Sequence, residues 1–393
     1  MTLELDMLQT AAVGILAMLL GSWINKSVKV LQRICIPAPV TGGIVFSLIT
    51  LALYGIFGIE ISFQGTLKDI CMMMFFTSVG FQSDLSVLRK GGRPLVVMVA
   101  LVAVLIICQN AIGLGISRGC GFDPLIGLAA GSVTQCGGHG TAAGFSPMFE
   151  QMGMPSATTV LMAAATFGLL GGSLMGGPLA EHIIRRKHLR TEGPSDAELQ
   201  HGEEAAFSAS GYAKAVYEIL LAAGLGTLVS KALALTGLSF PSYFGALVVA
   251  VIMRNISEAI PRCPKLSMPE ITSVGGISLA LFLGMAMASL RLWELSGLAL
   301  PLLLVLAAQI LFMLIFARAV AFPLLGGDYD AAVMVSGLCG FGLGATPNAM
   351  ANMSAVCGKY RYSTTPFIII PIVGAMFVDL INIAVVSIFL NLV

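Results

Sequence analysis

The chain has 393 residues, 57% of them apolar and only 10% charged, with a formal net charge of +1. A soluble protein of this length carries about 25% charged residues to wet its surface, and the mean hydropathy of +0.93 points away from one. Composition therefore excludes an ordinary soluble enzyme and, through the neutral balance, a nucleic-acid-binding protein; it predicts a polytopic membrane protein.

A bilayer core about 30 Å thick takes about 20 apolar residues as helix. From the N-terminus, apolar runs fall at residues 7–23, 40–57, 70–81, 94–116, 156–180, 212–236, 243–253, 271–288, 296–322 and 364–393. Glu4 and Asp6 precede the first run where a signal peptide would have basic residues, so it reads as a retained span. With ten spans and both termini outside, all of the 21 basic residues except Lys68, Arg118, Lys231 and Arg291 fall on the inner side, as Lys and Arg do in cytoplasmic loops. The polar stretch of residues 181–211 carries Pro194 and has no apolar face to bury, which predicts a cytoplasmic linker. The eight cysteines form no Cys-x-x-Cys pair and have no His at metal-ligand spacing, so they read as small hydrophobes.

The two sides of the linker resemble each other. Residues 38–43 recur loosely at 240–245, and the interval from Phe75 to Pro94 equals that from Phe282 to Pro301. Asp123, Gly137 and Thr141 match Asp328, Gly342 and Thr346 at a constant offset of 205. The expected fold is thus an all-α polytopic membrane protein of two repeats, residues 1–180 and 212–393. Five spans in each half, an odd number, would invert the second repeat relative to the first, as in secondary transporters with a midplane site.

Each repeat contains a glycine-rich segment that fails as a continuous span. The first, residues 123–145, holds Gly127, Gly131, Gly137, Gly138, Gly140 and Gly144; the second, residues 328–352, holds Gly337, Gly340, Gly342, Gly344 and Pro347. Glycine and proline weaken a helix, and irregular backbone at membrane depth survives only where protein or a wet cavity covers it. Both segments are expected to be re-entrant loops. Their N–H groups and half-helix starts would hold an anion, with Ser132, Thr134, Thr141, Thr346, Asn348 and Asn352 adding neutral hydrogen-bonding groups. The competing expectation is that the glycines allow close helix packing. His139, inside the first cluster, is open to three assignments: a structural donor, a ligand contact or a proton carrier.

Asp379 stands deep in the last run with Asn382 three residues on, and an intramembrane carboxylate is a functional candidate by default. A sodium ion favours such oxygen ligands; the alternative is a structural pair with Arg254 or Arg291. Gln109 and Asn110 interrupt the fourth run and Gln309 the ninth, where they serve either ligand contact or bonds across helices.

The motif Gly137-Gly138-His139-Gly140-Thr141, the run Gly340-Phe341-Gly342-Leu343-Gly344-Ala345-Thr346-Pro347, residues 37–43, residues 371–379, Asn110-Ala111-Ile112-Gly113 and Leu292-Trp293-Glu294-Leu295 together resemble the bacterial sodium/glutamate symporter family over nearly the whole chain. The resemblance implies L-glutamate uptake driven by Na⁺ across the inner membrane, with no cofactor beyond the coupling ion and no catalysis. It also implies an elevator-like motion and a homodimer. The expected substrate contacts are Gly137, Gly138, His139, Gly140, Thr141, Gly342, Gly344, Thr346 and Asn348, and the expected sodium contacts are Asp379, Asn382, Asn110, Gln109 and Thr134. The sequence departs from the family where Asn348 stands in place of a frequent threonine and Cys136 in place of a small hydroxyl residue. Alternative readings are a sodium- or proton-coupled symporter of another di- or tricarboxylate and, from a different class, an intramembrane enzyme using His139 as base.

Overall fold

In a computed structural model, residues 2–28, 31, 36–84, 92–154, 156–189, 208–235, 240–260, 265–295 and 298–393 are described. Residues 190–207 of the expected linker, and Lys29, Arg33, Arg89, Lys90, Arg190 and Arg262 of the charge pattern, lie outside them.

Helix α1 (Met7–Ser27) begins at a capping box in which the Asp6 carboxylate accepts from Gln9 N at 2.8 Å and Asp6 N donates to the Gln9 side chain at 3.0 Å. Helix α2 (Ala38–Phe57) stops at Gly58, whose φ of 64° closes the helix as glycine commonly does. Helices α3 (Thr66–Gln82) and α4 (Gly92–Gly119) follow, then three short pieces, α5 (Pro124–Ala129), α6 (Ser132–Gln135) and α7 (Gly138–Gln151), and the long α8 (Ala157–Lys187). The second half runs α9 (Ala209–Ala234), α10 (Phe244–Ala259), α11 (Met268–Ala288), α12 (Ala299–Leu324), α13 (Tyr329–Gly342), α14 (Thr346–Lys359) and α15 (Thr364–Leu390). Helices α12 and α15 each contain a π-turn, at Ala317–Ala321 and Val373–Phe377.

Eight of these helices are long and apolar enough to cross a membrane, and the chain is a multi-pass membrane protein. Helices α3 and α10, with 17 and 16 residues, coincide with the two shortest apolar runs. The all-α expectation needs one correction. Thr2–Leu5 and Glu60–Phe63 form a two-stranded parallel sheet, because the chain entering α1 lies beside the chain leaving α2 and their free backbone groups pair.

The helices sort into two bundles by what they touch. The first contains α1, α2, α3, α9, α10 and α11; the second contains α4, the short pieces, α8 and α12 to α15. Each bundle therefore takes elements from both halves of the chain. Phe81, Ile219, Ala250 and Ile271 are buried inside the first, and Leu105, Ile106, Met313, Leu338 and Ile370 inside the second. Phe76, Phe145, Tyr243 and Phe282 are among the apolar residues buried where the bundles meet. Ion pairs collect at opposite helix ends. Glu60 pairs with Arg291 at 2.8 Å beside the small sheet, whereas Asp84 pairs with Arg254 at 3.5 Å and Glu181 with Lys359 at 2.6 Å at the far ends of α3 and α8.

Candidate functional site

The aspartates at offset 205 play the same local part in both halves. The Asp123 carboxylate accepts from Leu125 N at 2.8 Å and starts α5; the Asp328 carboxylate accepts from Ala331 N at 2.8 Å and starts α13. Such caps satisfy N–H groups that the first helical turn leaves unpaired. The chain then enters the second bundle and breaks.

In the first segment the breaks fall at Ala130–Gly131 and Cys136–Gly137, so Gly127, Gly140 and Gly144 lie within helices. Gly138 has φ of 60°, the left-handed region that side chains avoid, and a Cβ there would lie 2.6 Å from the carbonyl oxygen of Gly344. In the second segment the break is confined to residues 343–345; Gly337, Gly340 and Gly342 belong to α13. Close packing explains those three. A Cβ on Gly340 would strike the backbone of Ala349 in α14, and one on Gly342 would press against Leu105 and Met313.

Helices α7 and α14 both start without a side-chain cap, at Gly137 and Ala345. Among the described residues, the N–H groups of Gly138, His139 and Gly140 have no hydrogen-bond acceptor. Pro347 takes an early position in α14, where the missing N–H costs nothing. The two starts meet at Gly138 and Gly344, and a cavity of about 230 Å³ opens beside them between the two bundles. Cys136, Gly137, Gly138, His139, Gly140, Thr141, Phe341, Gly344, Ala345, Thr346, Pro347, Gly374, Val378 and Asp379 line it from the second bundle, and Pro37, Phe75, Leu279 and Leu283 from the first. Both helix starts present positive dipole ends, which favour an anionic ligand.

Asp379 follows the π-turn of α15 and accepts a hydrogen bond from Thr141 Oγ1 at 3.2 Å. It pairs with neither arginine considered from sequence: Arg254 meets Asp84 and Glu258, and Arg291 meets Glu60 and Glu294. Ser132 ties the neighbouring amides together. Its Oγ donates to Asn382 Oδ1 at 2.6 Å and accepts from Asn110 Nδ2 at 2.7 Å, while its N–H donates to Asn110 Oδ1 at 3.2 Å. Asn382 Nδ2 returns a bond to Ser132 O at 3.1 Å, so this buried group is closed upon itself.

Other expected residues serve elsewhere. Gln109 Nε2 donates to Gly342 O at 2.8 Å across the halves, and the Thr134 hydroxyl donates to Ala129 O at 2.7 Å. Gly342 and Asn348 lie off the cavity wall, Asn348 Nδ2 donating to Leu169 O at 3.1 Å. His139 Nε2 lies 3.0 Å from Thr166 Oγ1, which donates to Met162 O. The threonine proton being engaged, His139 Nε2–H is the donor and its ring is tethered to α8.

The sequence reading missed Phe75, Leu279 and Leu283, the only cavity-lining side chains from α3 and α11 among the described residues. Each looks like an ordinary apolar residue of a span; nothing in its type or spacing marks a ligand wall. Gln135 was also missed. Its Oε1, with those of Gln109 and Gln309 and Oδ1 of Asn348, is buried without a hydrogen-bond partner among the described residues.

A multi-pass protein with a small cavity at paired helix breaks, lying between two bundles that both halves build, has the arrangement of secondary transporters. The sodium/glutamate symporter family matches residues 3–362. The chain is 39% identical over 395 residues to the sodium/glutamate symporter of Escherichia coli (strain K12), which covers 99% of this chain and 98% of that relative. It is 40% identical over 390 residues to the sodium/glutamate symporter of Haemophilus influenzae, covering 97% and 96%. This chain belongs to the sodium/glutamate symporter family, whose members are transporters and not enzymes. Among solved structures it is similar to the sodium proton antiporter MjNhaP1 from Methanocaldococcus jannaschii, at 14% identity and a TM-score of 0.43 over 98% of this chain and 94% of that one.

Proposed function

We propose that this protein carries L-glutamate into the bacterial cell across the inner membrane, coupled to Na⁺, and that the cavity at Gly138 and Gly344 is its transport site. The observation that carries the reading is the convergence of two uncapped helix starts beside Asp379 at the boundary between the bundles. The substrate's two carboxylates meet the open N–H groups of Gly138, His139 and Gly140 at the start of α7 and of Thr346 at the start of α14, within the wall formed by Gly137 to Thr141 and Gly344 to Thr346. Asp379, with Thr141 beside it, supplies the carboxylate toward the ammonium group or a sodium ion. Its position one helical turn from Asn382 extends a row of oxygens through Asn110 and Ser132. The buried, unpartnered Gln135 Oε1 and Asn348 Oδ1 offer neutral ligands for a cation near the second break.

The two halves follow the same succession of elements, and we read them as inverted repeats whose broken segments enter from opposite faces as re-entrant loops. The division of the cavity wall suits an elevator motion: the second bundle holds the polar groups and slides along Phe75, Leu279 and Leu283 of the first. Both termini are periplasmic in this reading, the central linker is cytoplasmic, and the protein works as a homodimer.

Uptake of labelled L-glutamate into proteoliposomes should be fast with an inward Na⁺ gradient and fall to the leak rate without one. Equal rates would overturn the proposal, and competition by aspartate, malate and citrate ranks the anions. Asp379→Asn should abolish Na⁺ stimulation while the variant still inserts; if it instead removed only a pH dependence, protons rather than sodium would be the coupling ion.

A further inference from the structure

A second polar cavity, of about 510 Å³, opens at the opposite end of α13 and α14 from the helix starts just described. His188, Asp328, Tyr329, Asp330 and Arg361 line it, joining the end of α8 to both feet of the α13–α14 hairpin. Among the described residues the charges there form no ion pair with one another. Arg361 makes no ion pair among the described residues; its guanidinium lies over the Tyr329 ring, 5.3 Å from the centroid, and its Nε is buried without a hydrogen-bond partner. Asp330 Oδ1 accepts from Ser363 Oγ at 2.7 Å, two residues beyond Arg361, and Asp328 Oδ1 accepts from Ala331 N, which leaves Oδ2 of each carboxylate open among the described residues.

This charge set selects among ligands. Two carboxylates disfavour a simple anion such as phosphate, and among the described residues no group of three His, Cys, Asp or Glu side chains could hold a metal ion. A guanidinium lying over an aromatic ring, with no ion pair among the described residues, suits a carboxylate; a nearby aspartate suits an ammonium group. The cavity volume falls in the range of small-molecule sites, about 300–1,000 Å³.

We propose that this cavity is a second, non-transporting site for a free α-amino acid, with the ligand's carboxylate on Arg361 and its ammonium group on Asp330 and Asp328. The ligand would clamp the feet of the hairpin, Tyr329–Asp330 at the start of α13 and Arg361 after α14, to His188 at the end of α8. Because α13 and α14 carry the second helix break at their far end, the clamp would restrain the tip and slow turnover. That consequence rests on the transport reading above; the binding itself does not. In the proposed orientation the site faces the cytoplasm, so it would report the internal amino-acid level.

The test uses the full chain in nanodiscs with L-glutamine, whose side chain is neutral, as probe. L-Glutamine should raise the thermal stability of the protein, as a ligand of the folded state does. N-acetylglutamine and glutamine α-amide, each lacking one charge, should not. Arg361→Gln and Asp330→Asn should lose the L-glutamine shift while keeping Na⁺-dependent L-glutamate uptake. Arg361→Lys, which keeps the charge but not the fork, should weaken L-glutamine binding about tenfold. In proteoliposomes, internal L-glutamine should slow L-glutamate uptake by wild type and not by Asp330→Asn. The proposal is overturned if L-glutamine gives no shift in wild type, if the two uncharged-end analogues shift it equally, or if the shift survives both substitutions. Failure of L-glutamate uptake in wild type would instead count against the transport reading alone.

Discussion

The two glycine-rich segments share a sequence pattern at a fixed offset, yet they reach the cavity by different means. Residues 124–151 break twice, pass through the left-handed Gly138 and are tied by Ser132 to Asn110 and Asn382. Residues 329–359 break once, and two helices of 14 residues each pack against one another through Gly340. The first segment is tied at Ser132 and places Thr141 on Asp379; the second packs its two helices together, takes bonds from Gln109 and through Asn348, and brings only its tip. A glycine thus has two physical uses, backbone freedom at Gly138 and close approach at Gly127 and Gly340.

Three substitutions test that contrast. Gly138→Val should have the largest effect, since a branched side chain at φ of 60° costs about 1–2 kcal/mol and the clash with Gly344 adds roughly 1–3 kcal/mol. Glutamate uptake by correctly inserted protein should fall about hundredfold or more; near-normal uptake would mean that the two breaks need not touch. Gly340→Ala, which drives a methyl into the Ala349 backbone, should destabilise the hairpin by about 1–3 kcal/mol. Its signature is a lower melting temperature with half-saturation for Na⁺ little changed; a selective sodium defect would erase the distinction between the segments. Thr141→Val should have the smallest effect, removing one hydrogen bond to Asp379 worth about 1 kcal/mol. Na⁺ half-saturation should rise roughly fivefold with the melting temperature nearly unchanged, and a pure stability loss would make the threonine structural.

Much of the fold is legible in the chain because a bilayer constrains so strongly. Ten apolar runs each correspond to a helix, even the short ones that became α3 and α10, since a backbone in hydrocarbon must satisfy its own hydrogen bonds. The Asp123 and Asp328 caps were visible as a repeat, and Asp379 stood out because a carboxylate in a span is costly. The candidate site was legible where it depends on residue type, and illegible where it depends on direction. Gly342 and Asn348 carry the expected chemistry but point away from the cavity, while Phe75, Leu279 and Leu283 carry none and form its wall.

The sequence by itself determined that the protein is a membrane bundle, that its glycines concentrate in two segments at a fixed offset, and which family it belongs to. These follow from hydropathy, spacing and motif, which are properties along the chain. Only the tertiary structure decided which glycine is a hinge and which a contact, that Asn110, Ser132 and Asn382 bond to one another, and that α3 and α11 close a cavity opened by α7 and α14. Those facts depend on helix rotation and on which bundle each element joins, and both are settled by packing between separate elements, some of them far apart in the chain as Ser132 and Asn382 are.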